Sequence, residues 1–369
     1  MAESFSGLRI AVVHDWLTGM RGGEQVLEAI LEVFPHSDLF TLFHFPGKVS
    51  VAIESHPIRT SWLQPVAARV SDYRKLLPLF PFAASSWDFS KYDLIVSSSH
   101  CVVKGVRAGG KPHLCYCHTP MRYVWDRFDD YFPRSRPFQR LVASPVAAIL
   151  RQWDRRTAGV SRFVANSRFV QQRISEYYGR ESEVIHPFAG DDFFRASLAS
   201  GRDDYHLIVS ALVPYKRVDL AVEAVRASGR KLVVIGSGPL LEHFRQQASP
   251  NVRFLGSVPT GEMVQWMGRA LSLILPGVED FGITPLEAMA SGTPVVAFGR
   301  GGVLDSVRPN ETGILFDRFE VESLEAAMHE VERRSWDRAL LRAHAARFSR
   351  RRFIEDFSEA ARNLLGQTR

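Results

Sequence analysis

Along the chain, short runs of consecutive apolar residues alternate with longer stretches in which apolar positions recur every three or four residues. The first pattern suits strands buried on both faces and the second suits amphipathic helices; their alternation builds parallel sheets with crossover helices. In the N-terminal half, 8–13, 94–97, 113–117 and 162–165 read as strands, and 23–34 and 167–177 have helical spacing. Segment 188–205, FAGDDFFRASLASGRDDY, keeps neither period and concentrates Gly, Ser and Asp, so it reads as an interdomain linker.

After it the alternation restarts, with strands at 206–210, 231–235, 252–255, 271–275 and 294–297 and helices near 218–226, 240–247, 262–269 and 283–290. From 321 to the end the chain reads as two or three Arg-rich helices. At 369 residues it exceeds what one core usually supports. The pattern therefore predicts an α/β protein with two doubly wound parallel-sheet domains, 1–190 and 191–345, followed by a C-terminal helix at 346–369. Ligands of open α/β sheets bind outside the carboxyl ends of the strands, so the chemistry is expected there.

Composition narrows the class. Hydrophobic residues make up 46% of the chain and charged residues 23%, enough to fill two cores without disulfides. The three cysteines, Cys101, Cys115 and Cys117, form no framework, and no leader pattern precedes Leu8, which predicts a reducing, cytosolic setting. Cys115 and Cys117 share one face of a strand and would make half a metal site, but no second Cys/His pair has suitable spacing. No apolar stretch is long enough to span a membrane as a helix. The net charge of +6 describes surfaces and partners, and nothing like a nucleic-acid recognition module accompanies it.

The stretch VEDFGITPLEAMASGTPVVA, 278–297, follows a strand and opens a helix near Ile283. The amides of Gly282, Ile283 and Thr284 lack intrahelical acceptors and suit a phosphate. Glu279 before the helix and Glu287 one turn inside it would grip hydroxyls at opposite ends of a nucleotide sugar. Carboxylates near a helix start are also what the macrodipole favours, so the spacing alone admits either reading. HDWLTGMRGGEQVLEAI, 14–30, sets Gly22 and Gly23 between a strand and a helix, where backbone can approach a phosphate or sugar closely. His118, in CYCHTPMRYVWD, ends a strand.

Glu279-x7-Glu287, together with Phe281-Gly282, Pro285, Ser291-Gly292, Pro294-Val295-Val296 and Gly301-Gly302, resembles the signature of the retaining family 4 glycosyltransferases of the GT-B fold. The resemblance implies two Rossmann-like domains facing a central cleft, 1–190 binding the acceptor and 191–345 the nucleotide sugar, with the C-terminal helix 346–369 packing back on the N-terminal domain. It further implies that Glu279 binds the donor hexose, that Glu287 binds the ribose, and that the 282–284 amides meet the diphosphate. SALVPYKRVDLAVEA, 210–224, is similar to the family's diphosphate motif, with Lys216 on its lysine. Ser210-Ala211 stands where the family usually has Gly-Arg, and Arg217 or an arginine from the other domain would take that role. Gly22-Gly23 resembles the family's N-terminal glycine loop, His118 its histidine beside the reacting carbon, and the turn at Gly236 the wall of its base pocket.

The catalytic expectation is thus His118, Lys216 and Glu279. The donor-binding expectation is Gly22, Gly23, Arg217, Gly236, Phe281, Gly282, Ile283, Thr284 and Glu287. No Asp-x-Asp occurs, and the family is metal-independent, so no metal and no cofactor beyond the nucleotide sugar is expected. HDWLTGMRGGEQVLEAI with HTPMRYVWDRFDDYF looks most like bacterial mannosyl-type transferases of O-antigen and exopolysaccharide synthesis, which implies GDP-mannose as donor and a lipid-linked or oligosaccharide acceptor. A nucleotide-sugar epimerase or hydrolase on the same fold, or a two-domain sugar-binding protein without chemistry, are the alternatives. Segment 56–89 mixes Arg59, Arg69, Arg74 and Lys75 with Trp62, Phe80, Phe82 and Trp87, which suits an anionic membrane surface or a packed layer over the first sheet. Eight arginines between 333 and 352 add a basic zone that is either near such a surface or simply solvated.

Overall fold

The computed structural model describes residues 5–70, 72–132, 134–135, 137–198 and 201–367. The chain divides into two compact units, Met1–His186 with Phe353–Arg369, and Pro187–Arg352.

Unit one carries β1 (Ile10–His14), β2 (Asp38–Thr41), β3 (Ile58–Thr60), β4 (Leu94–Ser99), β5 (His113–Cys117), β6 (Arg162–Ala165) and β7 (Ser182–Val184). They form one parallel sheet in the order β3-β2-β1-β4-β5-β6-β7. The strand order reverses between β1 and β4, and the register there sets His14 beside Ser98. Ala11, Val13 and Ile95 pack with Phe80, Ala83, Ala147 and Leu150, while Cys115, Cys117 and Phe163 pack with Val170 and Ile174. The three cysteines are buried and free. Next to Tyr116, Phe353 and Phe357 of the C-terminal helix stack on each other at 5.7 Å, and Phe357 reaches Phe34 at 6.4 Å.

Unit two carries β8 (His206–Val209), β9 (Leu232–Ile235), β10 (Val252–Gly256), β11 (Ser272–Leu275), β12 (Val295–Phe298) and β13 (Gly313–Phe316), parallel in the order β10-β9-β8-β11-β12-β13. The apolar run of β11 is buried on both faces: Leu273 and Leu275 enter one cluster and Ile274 the other. Both sheets are thus doubly wound α/β layers, and in unit two the order reverses between β8 and β11.

Segment 188–205 is not a free linker. It contains the short helix Asp191–Arg195, whose Phe193 is buried in the core of unit two, and Arg202 donates to the carbonyls of Ala270 and Gly292. The Gly, Ser and Asp that suggested a linker surround one anchoring aromatic. The sequence patterning also passes over β2, β3, β7 and β13, and over the helix Pro137–Arg156.

Candidate active site

In unit two, the loops leaving β8 and β11 meet where the strand order reverses. Gly277 makes the meeting possible, because a Cβ there would lie 2.7 Å from the Tyr215 carbonyl and 2.9 Å from Lys216 Cα. The contact brings Lys216 Nζ into a hydrogen-bonded ion pair with Glu279 Oε1, both side chains being mostly buried. Two residues 63 apart in sequence therefore form one charged unit.

The loop bearing Glu279 is braced from behind. Gly302 donates its amide to the Glu279 carbonyl at 2.9 Å, and a Cβ on Gly301 would come within 2.5 Å of that same carbonyl. A Cβ on Gly302 would overlap Asp280 and Phe281, so both glycines are needed for the approach. The loop ends at Gly282, whose φ of 86° lies in the region that favours glycine, and the helix Ile283–Ala290 begins there. Gly282, Ile283 and Thr284 are half-exposed, and amides at a helix start point outward without intrahelical acceptors. At the far end of this helix Arg342 Nε donates to the Ala290 carbonyl at 2.7 Å and Arg202 to Gly292 at 2.8 Å, which covers the negative end of its dipole.

Glu287 lies one turn inside the helix and is only 6% exposed. Burial alone pushes its pKa from 4.5 up to about 7. A carboxyl in that state accepts hydroxyl donors gladly, since each donor repays desolvation.

Arg217 has a φ of 53° and caps the helix Val218–Ser228; its guanidinium contacts Asp219 at 3.1 Å and lies 5.1 Å from the Phe319 ring. It is thus already engaged beside the diphosphate motif. Gly236, with φ 135°, passes so close to the Ser210 carbonyl that no Cβ would fit. Its first duty is backbone packing between β8 and β9.

In unit one, Gly22 and Gly23 are the first residues of the helix Gly22–Val33 rather than a separate loop. A Cβ on Gly23 would stand 3.9 Å from His14 Cε1 and 4.0 Å from His118 Cε1, so the start of this helix lies against both imidazoles, His14 buried and His118 half-buried. His118 follows β5, and its Nε2 shares a 2.8 Å hydrogen bond with Ser98 Oγ, which in turn bonds His14 Nδ1 at 3.0 Å. His14 Nε2 lies 3.9 Å from Glu24 Oε1. Burial lifts the Glu24 carboxyl, but its contact with His14 and its backbone hydrogen bond outweigh that and hold it below the usual range. An anionic Glu24 favours the His14 Nε2–H tautomer; His14 Nδ1 then accepts from Ser98 Oγ, and Ser98 Oγ accepts from His118 Nε2–H. Asp15 accepts four backbone amides, from His100 to Val103, at 2.7–3.1 Å, which pins the turn after β4. Burial drives His100 down to about pH 3, so its ring is neutral.

Three comparisons bear on this arrangement. The model for glycosyl transferases group 1 matches residues 191–351, and the model for Glycosyltransferase Family 4 matches residues 44–190. The chain belongs to the family 4 glycosyltransferases. Among curated proteins it is similar to a GDP-mannose-dependent alpha-(1-6)-phosphatidylinositol monomannoside mannosyltransferase of Mycobacterium tuberculosis, 32% identical over 45% of this chain and 51% of that protein. It is also similar to a D-inositol 3-phosphate glycosyltransferase of Thermomonospora curvata, 30% identical over 53% of this chain and 54% of that protein. The chain spans about half the length of the curated relatives it matches. Among solved structures it shares its fold with HepE of Anabaena, determined with UDP-glucose, at 17% identity and a TM-score of 0.70 over 96% of this chain and 99% of that one.

Of the residues singled out in the sequence, unit two brings Lys216 and Glu279 together next to the helix that starts at Ile283 and carries Glu287, while Gly23 and His118 lie together in unit one. Sequence reasoning missed Ser98, His14 and Glu24. The signal was present as LIVSSS, an apolar strand closing on three buried serines. The basic zone after 333 divides: Arg338 and Arg342 are engaged on backbone carbonyls and Arg334 on Glu330. Segment 56–89 divides too, with Phe80 buried at 1% and Trp62 and Phe82 exposed at 52% and 69%.

Proposed function

We propose that this chain is a retaining glycosyltransferase that moves a hexose, best taken as mannose from GDP-mannose, to a lipid-linked or oligosaccharide acceptor in bacterial surface polysaccharide synthesis. The observation that carries the proposal is the Lys216–Glu279 pair set against the open start of the helix Ile283–Ala290. A departing nucleoside diphosphate needs positive charge that is already in place, and an ammonium plus helix-start amides supply it. Glu279, held beside that ammonium, is positioned to accept hydroxyls of the hexose, and Glu287 to accept those of the ribose. His118, oriented through Ser98, borders the reacting carbon.

The charge is met by the chain's own groups, so the reaction is proposed to need no metal. The sequence has no Asp-x-Asp to bridge a metal to the diphosphate. The names of the curated relatives support a mannosyl donor, and the inositol phosphate enzymes among them keep other nucleotide sugars in the screen. A lipid-linked acceptor would place the protein on the inner face of the plasma membrane.

The test is incubation with GDP-mannose, UDP-glucose and UDP-N-acetylglucosamine, with and without a polyprenyl-diphosphate-linked saccharide, followed by nucleotide release and product NMR. GDP release that requires acceptor, with the donor's anomeric configuration kept, is the expected result. Nucleotide release without acceptor would instead favour a hydrolase. Binding without any turnover across acceptors would favour the non-catalytic reading.

A further inference from the structure

The helix Pro137–Arg156 covers unit one with a narrow inner edge, where Ala147 and Leu150 join the core and Asp154 is buried. Asp154 pairs with Lys104 at 3.0 Å and accepts from Trp125 and Tyr178 at 2.8 Å, so the helix is pinned at its C-terminal end. Its outer face is the unusual part. Phe138, Leu141, Val142 and Ile149 are 76%, 73%, 57% and 67% exposed, and Pro145 and Ala148 lie exposed among them.

No exposed position of this helix carries an acidic side chain, whereas Arg155 and Arg156 stand exposed at its end and Arg134 just before its start. Unit one holds most of the large exposed apolar side chains of the described residues, and Leu79 and Phe82 add to them from the helical segment that packs on the same core cluster. Single exposed apolar residues are ordinary; a face of them running about three turns, from Phe138 to Ile149, and flanked by cations is not.

We propose that this face docks the protein on an anionic lipid bilayer, with the helix lying in the interface plane. The inference deepens the reading of a lipid-linked acceptor by naming the element that reaches the membrane. Phe138, Leu141 and Ile149 enter the acyl boundary and Arg134 and Arg156 reach phosphate headgroups, while Arg155 is held on the Tyr177 carbonyl at 2.9 Å. Crossing the bilayer is not at issue, since among the described residues no helix is long and apolar enough for it. A second copy is the poorer occupant. An isologous contact would press this face against itself and bring the two sets of arginines together, with no carboxylate on the face to separate them.

The experiment is sedimentation of the whole chain, without nucleotide sugar, with vesicles of phosphatidylcholine and with vesicles containing about a third phosphatidylglycerol. Two variants accompany it, Phe138→Ser/Leu141→Ser/Ile149→Ser and Arg134→Glu/Arg156→Glu, each checked by thermal unfolding and by light scattering. The wild type should bind the anionic vesicles and lose most binding on the neutral ones, and each variant should lower the partition coefficient by about tenfold or more while remaining folded. Wild-type binding that both variants retain would overturn the helix assignment and leave the peripheral reading standing. No vesicle binding by the wild type would overturn both, as would a stable dimer that the triple variant dissociates without any vesicle binding.

Discussion

Glu287→Gln isolates the group whose two roles pull in opposite directions. The carboxyl is 6% exposed and its pKa is raised from 4.5 to about 7 by burial alone. A folded-state pKa above the unfolded one means that the folded chain holds the proton more tightly. The associated stability is complete below about pH 4.5, is lost as pH rises through 7, and stays lost above it. At about 1.4 kcal/mol per pKa unit, the ionised carboxylate costs the apo protein about 3 kcal/mol at pH 8. Glutamine has the same shape and no proton to lose. The variant should therefore match the wild type near pH 4.5 and exceed it at pH 8 by up to that amount. For a unit of this size that is a rise in Tm of several degrees, at about 2–4 °C per kcal/mol.

Nucleotide should reverse the order. If ribose hydroxyls donate to the carboxylate, GDP stabilises the wild type at pH 8 by replacing the lost hydration, while the amide offers a weaker acceptor. The assay is thermal unfolding of both proteins from pH 4.5 to 8.5, with and without GDP, supported by calorimetry. A stability difference that does not grow between pH 4.5 and 7 would refute the desolvation argument. A GDP affinity unchanged in the variant would refute the ribose contact, and the two outcomes are independent.

Glu279→Ala should leave GDP binding largely intact and lower turnover by about 10²-fold or more, because it removes a group held against the hexose; wild-type turnover would show that Glu279 serves only Lys216. Lys216→Ala should weaken GDP and UDP alike, read by calorimetry, and unchanged binding of both would remove it from the diphosphate site. Ser98→Ala takes the shared Oγ from the buried His14 Nδ1 and the half-buried His118 Nε2, for a stability cost of about 1–3 kcal/mol. Its more telling effect is a displaced pH–rate profile, which Ser98→Thr should restore; superimposable profiles would mean that the link to His118 only packs.

What the sequence made legible follows from where each feature gets its signal. β8, β9, β11 and β12 are buried on both faces, so selection for burial writes them as apolar runs such as LVVI and SLIL. β3 and β7 lie at sheet edges, are three residues long and read IRT and SEV, with too few buried positions to leave a pattern. The helix Pro137–Arg156 escaped for a different reason: Pro145 interrupts its interior, and its apolar residues face outward as well as inward, which blurs the period. The site splits along the same line. Glu279, Gly282 and Glu287 are local to one strand–helix junction and could be read directly, whereas the Lys216–Glu279 and His14–Ser98–His118 contacts join distant segments and exist only through strand order. Parallel sheets nonetheless leave a usable trace, since all strands of a sheet deliver their carboxyl ends to one edge. A polar residue that closes an apolar run, such as His14, Ser98 or Ser210, is already at that edge. Reading those closing residues as one set, before any motif is sought, would have brought Ser98 and His14 to His118 from the sequence.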